Sequence, residues 1–510
     1  MIKKIIRKVV LVVMDGWGIA PSSLGNYITQ AKTKNFDYFV KNFPNTINKA
    51  AEAAVGLPIG TQGNSEVGHL HIGAGRIVLQ MYEKINQAIK NKSFFENKAL
   101  IKAINFAKES NSNLHLVGLC SDGGVHSHLN HLFALLQIAK KRKVKKVFIH
   151  FIADGRDVPE KSAKKYIKII EEKIKKIGVG KIATVVGRYY AMDRDNNQNR
   201  TKKAYDLLMF GKGFKVKSAS EAINLAYERG DKTDYYIKPK LIINEEEKPI
   251  TFIEKNDSLI FFNFRTDRLR QLVNKFLTRA SELNLLITTL TEYKKTFTSH
   301  FAFKEDIIKN NLGQILENHK LKQLRIAETE KYAHVTYFFN SQIEDCFKNE
   351  ERILIPSSKV SSYDKKPEMS AYEITDKLIK EIKKNKFDFI LVNLANCDLV
   401  GHSGIKKAII KAIEVVDECI GKIVKSGLDN NYTIILTADH GSAEDKLYPN
   451  GEIKPAHSIN PVPFIVISND EKLKNVKLVK GEQKDVAPTI LDIMNIKKPK
   501  EMTGKSLIFD

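Results

Sequence analysis

Short apolar segments that each end in a charged or polar side chain recur along the chain, and this pattern restricts the possible fold most strongly. The segments are rich in Val, Ile and Phe, and they alternate with stretches of helical periodicity. Such alternation is typical of α/β proteins, in which helices connect largely parallel strands. Open α/β sheets bind ligands beyond the carboxyl ends of their strands. The polar residues that follow the apolar segments are therefore candidates for a functional site.

Seven segments carry this pattern, and the residues after them fall into two classes. The segments are 9–14, 114–119, 147–152, 183–186, 259–264, 389–394 and 433–436. Aspartates and histidines follow the segments near both chain ends, whereas arginines dominate in the middle. We therefore predict a domain inserted into another, with 79–312 as the insertion and with 1–78 and 313–510 as the two parts of the outer domain.

The chain is strongly basic, with 83 Lys and Arg against 59 Asp and Glu, a net charge of +24 over 510 residues. The lysines are scattered through helix-like segments such as 162–176 and 374–386, and no nucleic-acid-binding module is recognisable. A solvated, lysine-rich surface is the better interpretation. We expect no nucleic-acid partner, but a positive field that favours small anionic substrates.

The sequence also favours a cytoplasmic protein without a membrane anchor. Its four cysteines have no CxxC spacing, which is typical of a reducing compartment. Residues 1–14 are basic and then apolar, but they continue into Asp15 without a small-residue cleavage site, so a buried first strand fits better than a signal peptide. No apolar run is long enough to span a bilayer.

A glycine-rich segment, Gly63–His69, contains a candidate nucleophile, Ser65. A serine hydroxyl becomes reactive only when a base or a metal lowers its pKa. Taken alone, the segment is more typical of an ordinary loop with a solvated serine. What could activate Ser65 must therefore come from elsewhere in the chain.

The acids and histidines near the chain ends have the types and spacing of metal ligands. Asp398 and His402 are four residues apart, Asp439 and His440 follow an apolar segment, and His457 lies in a proline-rich loop. Together with Asp15 and Ser65 they make seven ligands, too many for one catalytic ion that must keep an open position. We predict two divalent ions, with mixed N/O ligation that suits zinc or manganese better than magnesium or calcium. Each residue taken singly could instead be a helix cap or a satisfied core group.

The middle of the chain supplies residues suited to a small anionic substrate. Arginine binds carboxylate and phosphate in bidentate fashion, and five arginines lie in candidate loops. They are Arg156, Arg188, Arg194, Arg265 and Arg268. The alternative is that they form surface salt bridges with neighbouring aspartates. His126 and Asp157 could move a proton on a substrate hydroxyl.

Lys331 could add positive charge to a phosphoryl transition state. The alternative interpretation is a lysine on a helix surface, three residues after Glu328.

Ten longer motifs extend nearly from end to end. They are Val13–Gly18, Gly63–His69, Ser121–His128, Ala153–Asp157, Gly187–Asp195, Phe262–Arg268, Ala327–Tyr332, Gly401–His402, Thr437–Gly441 and Asn460–Phe464. On these motifs the chain resembles the cofactor-independent (2,3-bisphosphoglycerate-independent) phosphoglycerate mutases of the alkaline-phosphatase superfamily. The resemblance implies an alkaline-phosphatase-like domain with an inserted α/β transferase domain.

The resemblance also implies a reaction and residue roles. Ser65 takes the phosphoryl group from 3-phosphoglycerate, and the retained glycerate accepts it on its 2-oxygen. No bisphosphoglycerate is needed, and two metal ions, typically Mn²⁺, are implied: one on Asp398, His402 and His457, the other on Asp15, Ser65, Asp439 and His440. The substrate residues are His126, Arg156, Asp157, Arg188, Arg194, Arg265, Arg268 and Lys331, with Asp157 as the base. We expect a monomer.

Two other functions compete with this interpretation. A metal-dependent phosphatase of the same superfamily would use the same metal centre with water as acceptor, but it does not require the arginine-rich insertion. A basic nucleic-acid-binding protein would leave the metal-type residues unexplained. His71 is a further histidine in the serine-containing region, and we expect it to be structural or to support the ligands.

Overall fold

The computed structural model describes residues 6–509, and the chain forms two compact units. Unit 1 contains the described residues up to Leu79 and those from Ile307 onward, and unit 2 is Gln80–Asp306. The sequence pattern placed these divisions after residues 78 and 312. Leu312 is buried in a core formed by unit 1 residues.

The strands alternate with helices along the chain. They are β1 Lys8–Met14, β2 Asn45–Lys49, β3 Leu114–Leu119, β4 Val147–Ala153, β5 Lys181–Gly187, β6 Phe214–Val216, β7 Lys240–Ile242, β8 Ser258–Phe261, β9 Leu286–Thr291, β10 His300–Phe303, β11 Gln323–Glu328, β12 Glu350–Ile355, β13 Phe389–Leu394, β14 Tyr432–Thr437, β15 Val462–Ile467, β16 Lys477–Leu478, β17 Gly481–Glu482 and β18 Ile508–Phe509.

Seventeen α-helices lie within residues 6–509. They are α1 Lys34–Asn42, α2 Ser65–Ala74, α3 Met81–Lys90, α4 Lys98–Glu109, α5 Leu129–Lys141, α6 Ala163–Ile177, α7 Arg188–Ala191, α8 Gln198–Phe210, α9 Ala219–Glu228, α10 Arg270–Ala280, α11 Leu312–Asn318, α12 Thr329–Ala333, α13 Ala371–Lys383, α14 Asn396–Leu399, α15 Lys406–Asp429, α16 Glu471–Lys474 and α17 Val486–Ile493.

Unit 1 is built on a sheet whose described strands run in the order β12-β11-β13-β1-β14-β15-β2-β17. The first five are mutually parallel, and β15 pairs antiparallel with β14 and with β2. The central strand β1 pairs with β13 on one side and β14 on the other, so strands from before and after unit 2 share one sheet. Buried side chains on both faces explain the continuous apolar run of β1.

Unit 2 has its own sheet, in the order β10-β9-β8-β3-β4-β5-β7-β6. Its strands are parallel except where β7 pairs antiparallel with β5. Two apolar cores formed only by residues of this unit cover the sheet. The α/β architecture predicted from the alternating pattern is confirmed.

Parallel pairing explains why the polar residues after successive strands gather. Neighbouring parallel strands end at the same edge, so β1, β13 and β14 deliver their following residues to one place in unit 1. Strands β3, β4, β5 and β8 do the same in unit 2.

Among the described residues, no helix combines the length and apolar character that crossing a bilayer would require.

Candidate active site

Ser65 is the first residue of α2, and the start of this helix is fixed by its N-cap. The side chain of Asn64 accepts a hydrogen bond from the Val67 backbone N–H at 3.1 Å. One turn later, a Cβ on Gly68 would lie 2.6 Å from the carbonyl oxygen of Asp439, so only glycine allows α2 to pack this closely. The buried Ser65 Oγ thereby lies close to residues that follow three strands of the sheet.

Three carboxylates surround the hydroxyl because β13, β1 and β14 are adjacent. Asp15 follows β1, Asp398 lies in α14 after β13, and Asp439 follows β14. All three are buried. Gly16, with a φ of 79°, brings the first two together, since a Cβ there would lie 2.8 Å from the Asp398 backbone. Buried carboxylates this close repel one another unless cations compensate them.

Three histidines turn the same ring atom toward these carboxylates. In His402, His440 and His457, Nδ1 lies 2.8–3.2 Å from a backbone carbonyl oxygen and donates its proton there. The carbonyls belong to Pro455, Gly441 and Gly63, respectively. With the proton on Nδ1 and the ring neutral, as a metal ligand must be, Nε2 carries a lone pair. Fixing a ring through Nδ1 in this way is typical of metal-ligating histidines.

The free ring nitrogens and carboxylate oxygens form two overlapping groups. Asp398, His440 and His457 make one, and Asp15, Asp439 and His440 the other, each with its ligand atoms within 4.8 Å of one another. His457 Nε2 lies 3.0 Å from Asp398 Oδ1 and 3.2 Å from His402 Nε2. The buried oxygens Asp398 Oδ1 and Asp439 Oδ2 accept no hydrogen bond from a described residue. This donor set fits divalent cations with mixed N/O ligation.

Lys331 is buried in the middle of this cluster. Its Nζ lies 2.6 Å from Ser65 Oγ, 2.8 Å from Asp15 Oδ1 and 2.6 Å from Asp398 Oδ2. Burial lowers the pKa of the ammonium, but the neighbouring carboxylates outweigh it and raise that pKa above its usual range. The alternative of a lysine on a helix surface is wrong, because α12 directs this side chain inward from the end of β11.

Lys331 and the neighbouring histidines in turn affect the Asp398 carboxyl. Burial raises its pKa, but Lys331 and the imidazoles of His402 and His457 outweigh burial and hold the pKa well below its usual range. The imidazole of His457 has the opposite shift: burial lowers its pKa, and the stronger effect of Asp398 raises it. The carboxylate is thus ionised and available to a cation.

The Ser65 hydroxyl also lies close to an imidazole and a carboxylate. Its Oγ is 3.1 Å from His440 Nε2 and 3.3 Å from Asp15 Oδ1, in addition to the contact with Lys331. The alternative of an ordinary loop with a solvated serine is wrong, because Ser65 is helical and buried.

Two further residues orient this cluster and were not predicted as site residues. Asn393 Nδ2 donates to Asp15 Oδ2 at 2.7 Å and lies 3.1 Å from His69 Nε2. The other nitrogen of His69 lies 2.9 Å from the Ser65 carbonyl oxygen and 3.4 Å from Asp439 Oδ2. A single asparagine inside the apolar segment of β13 was the signal that could have identified Asn393.

His71 faces away from these groups. Its Nδ1 lies 2.6 Å from the Val67 carbonyl oxygen, and its Nε2 accepts a hydrogen bond from the Val78 N–H at 3.0 Å. Burial lowers its pKa to about 4. Both nitrogens are used in backbone contacts, as the expectation of a structural histidine requires.

In unit 2, Arg188 is a buried cation with unused hydrogen-bonding capacity. It follows β5, and its Nη1 donates to Asp154 Oδ1 at 2.6 Å and to Asp157 Oδ2 at 2.7 Å. Its Nε and Nη2 have no partner among the described residues. Unpaired buried donors of this kind fit an anionic ligand.

Arg268 and His126 lie in the same part of unit 2. Burial lowers the pKa of Arg268, and the positive charges of Arg188, Arg194 and Arg156 lower it further, so these four arginines are electrostatically coupled. Burial, followed by the charge of Arg188, lowers the pKa of His126 to about 4. His126 is therefore neutral near pH 7, with Nε2 3.9 Å from Asp157 Oδ2.

Two of the five predicted substrate arginines, Arg194 and Arg265, form ion pairs with Asp267. Arg265 Nε lies 3.3 Å from Asp267 Oδ1, and Arg194 Nη1 lies 3.9 Å from Asp267 Oδ2. Both side chains are about half exposed, as the salt-bridge alternative describes. Arg156 is exposed and has no ion pair with a described carboxylate. Asp154, one of the neighbouring aspartates in the salt-bridge alternative, also accepts hydrogen bonds from Ser121 Oγ and from two backbone N–H groups.

Comparison with known proteins shows the family of the chain. The family model described as "BPG-independent PGAM N-terminus" matches residues 85–295, and the model described as "Sulfatase" matches 404–496. A protein of Clostridium acetobutylicum named 2,3-bisphosphoglycerate-independent phosphoglycerate mutase is 50% identical, over 98% of this chain and 99% of its own length. A protein of the same name from Moorella thermoacetica is 48% identical, over 98% of this chain and 98% of its own length. A structure of Leishmania mexicana phosphoglycerate mutase at low cobalt concentration superposes with a TM-score of 0.67 at 29% identity, covering 100% of this chain and 99% of that one.

Proposed function

The chain belongs to the family of 2,3-bisphosphoglycerate-independent phosphoglycerate mutases, isomerases that interconvert 3-phosphoglycerate and 2-phosphoglycerate, and we propose that it does so through a phosphoserine on Ser65. One observation carries the proposal. A buried serine hydroxyl lies 2.6 Å from a lysine ammonium, beside two overlapping groups of metal-type ligands. A phosphoserine intermediate divides one intramolecular transfer into two displacements.

We propose two divalent ions, most simply Mn²⁺, at these groups. Asp398, His402 and His457 would hold one, and Asp15, Ser65, Asp439 and His440 the other. Bound there, the ions would lower the pKa of the Ser65 hydroxyl and neutralise charge on a phosphoryl group. The ring nitrogens with free lone pairs and the unpaired oxygens of Asp398 and Asp439 support this assignment.

Lys331 supplies fixed positive charge at the nucleophile. Its ammonium already contacts Ser65 Oγ, and its pKa is raised, so it stays protonated while it orients the hydroxyl and stabilises phosphoryl oxygens. Ser65 is also the first residue of α2, so the positive end of the helix dipole and the N–H groups of the first turn add to the positive charge available to a phosphoryl group.

The residues of unit 2 would hold the glycerate. Arg188 and Arg268 have unpaired guanidinium nitrogens for the carboxylate or phosphate, and Arg156, Arg194 and Arg265 add positive charge. Asp157, which accepts a hydrogen bond from Arg188 Nη1, would take the proton from the accepting hydroxyl, with His126 beside it. The reaction requires this set and the Ser65 cluster to act on the same substrate molecule.

The test is conversion of 3-phosphoglycerate to 2-phosphoglycerate without added bisphosphoglycerate. We expect activity with Mn²⁺, none with chelator, and none for Ser65→Ala. Ser218→Ala, which removes a serine that caps α9, is the matched control and should remain active. Release of free phosphate without isomerisation would instead identify the phosphatase of the same superfamily.

We further propose a cytoplasmic monomer acting on a small-molecule substrate. The glycolytic reaction of the family supports the location and the substrate class. Light scattering of the purified protein would test the monomer, and a dimer mass at assay concentrations would contradict it.

A further inference from the structure

One short segment of unit 2 concentrates positive charge far more than the rest of the chain. Six of the seven residues 140–146 are lysine or arginine. They form the end of α5 and the turn into β4. Runs of this density bind polyanions when the structure presents them together, and they are solvated otherwise.

The structure presents these lysines on one concave surface. A cavity of about 710 Å³ is bordered by this turn and by the turn between α6 and β5. Five exposed lysines line it: Lys140, Lys143, Lys145, Lys146 and Lys181. We call this the lysine pocket.

The backbone holds the lysine pocket in a fixed shape. Lys143 has a φ of 61°, and the next residue, Val144, is buried while its N–H donates to the Ala139 carbonyl at 3.0 Å. Lys140 Nζ donates to the Gly178 carbonyl of the opposite turn at 3.4 Å. The charged groups are thus carried by an anchored turn and not by a free tail.

The charge of the lysine pocket is not compensated within the described part of the chain. None of its five lysines lies within 4.0 Å of a described carboxylate, and no acidic residue lines the cavity. Elsewhere lysines pair locally, as Lys202 does with Asp206 and Lys425 with Asp429. Five like charges left unpaired around one cavity attract an anion that carries several charges.

The lysine pocket is separate from the candidate active site. It borders the amino ends of β4 and β5, whereas Asp154 and Arg188 follow their carboxyl ends. Seven-residue strands place the two ends roughly 20 Å apart. A ligand in the lysine pocket would therefore not displace the glycerate.

The lining also restricts the type of anion. Its one aromatic side chain, Phe148, is stacked on the buried His115, with ring centroids 6.0 Å apart. No exposed ring is available to stack bases, as proteins that bind single-stranded nucleic acid require. We propose that the lysine pocket binds a linear polyphosphate anion, recognised by its closely spaced phosphate charges.

The test uses the full-length enzyme and fluorescently labelled inorganic polyphosphate, with anisotropy measured over a range of salt concentrations. The variant carries Lys143→Glu, Lys145→Glu and Lys146→Glu. The control carries Lys380→Glu, Lys383→Glu and Lys407→Glu, three exposed lysines of unit 1 without ion pairs to described carboxylates. Both change the net charge equally, and thermal unfolding establishes that both are folded.

We expect the pocket variant to bind polyphosphate at least about tenfold more weakly. The slope of log K against log salt concentration should be smaller by about two, because fewer lysine–phosphate contacts release fewer counterions on binding. The control should bind nearly as wild type. Equal weakening in both variants would overturn the proposal, because net charge alone would then explain binding. Tighter binding of single-stranded RNA than of polyphosphate would also overturn it.

Discussion

At the scale of single residues, Lys446 is a fully buried cation without a carboxylate within 4.0 Å among the described residues. Its Nζ donates to Ser442 Oγ at 3.1 Å and to the Ala456 carbonyl at 3.2 Å. Burial lowers its pKa from 10.5 to about 8, although Glu444 and Asp398 oppose the shift. The pKa of this group therefore differs between the folded and unfolded chain.

This difference predicts a pH dependence of stability. Between pH 8 and 10.5 the unfolded chain keeps the proton that the folded chain has released, so the free energy of unfolding rises with pH. Lys446→Met should remove a rise on the order of 3 kcal/mol across that window and leave the slope below pH 8 unchanged.

Urea unfolding of chelator-treated wild type and Lys446→Met would measure this rise. Lys383→Met, which changes an exposed lysine, is the control and should keep the wild-type slope. Parallel stability curves for wild type and Lys446→Met would contradict the shifted pKa.

Residue types and positions indicated the ligand cluster, but not the side chains that orient it. Aspartates and histidines after apolar segments could be recognised because parallel strands end together. Asn393 and His69 could not, because their roles depend on hydrogen bonds to Asp15 and Ser65 that exist only after the sheet has formed. The burial of Lys331 likewise depends on its position after β11 and not on its neighbours in sequence.

At the scale of elements, α2 positions the nucleophile through its first turn. Asn64 provides the one side-chain cap of this helix, through the Val67 N–H. Asn64→Ala should lower the free energy of unfolding by about 1 kcal/mol. Because Ser65 is the next residue, we also expect a lower kcat.

The Asn64→Asp variant separates capping from other effects. Aspartate caps as well as asparagine does, so stability should return to near the wild-type value. Chemical denaturation and steady-state kinetics of both variants would check this. An Asn64→Ala protein with unchanged stability and rate would show that packing against the end of β14 suffices to fix the first turn.

The core strands were predictable as elements, because burial on both faces produces continuous apolar runs. Segments 114–119 and 389–394 agree with the bounds of β3 and β13, whereas 259–264 extends beyond β8, which ends at Phe261. Phe262 and Phe264 lie in a loop after the strand but are buried, and hydrophobicity alone does not distinguish a buried loop from a strand.

At the scale of the whole molecule, unit 2 is a continuous segment with its own sheet and cores. A fragment of residues 80–306 should therefore fold alone, with cooperative thermal unfolding, and should lack mutase activity because it has no Ser65. Near-UV circular dichroism and calorimetry would measure this. A fragment without near-UV signal and without a cooperative transition would contradict it.

The sequence predicts an insertion because arginines and metal-type residues are segregated along the chain. The boundary at which the chain returns to unit 1 could not be placed closely from the sequence, since residues 307–312 contain no proline or glycine. Their assignment depends on packing: Ile308 is buried with Leu70 and Ala74 of α2, and Leu312 with other residues of unit 1.

The measurement that tests the central claim most directly is identification of the phosphorylated residue during turnover. Enzyme with Mn²⁺ and 2-phosphoglycerate would be acid-quenched, digested and examined by mass spectrometry. The proposed mechanism predicts a phosphate on Ser65 that is absent with chelator. Isomerisation at the full rate with phosphate on another residue, or retained by Ser65→Ala, would contradict it.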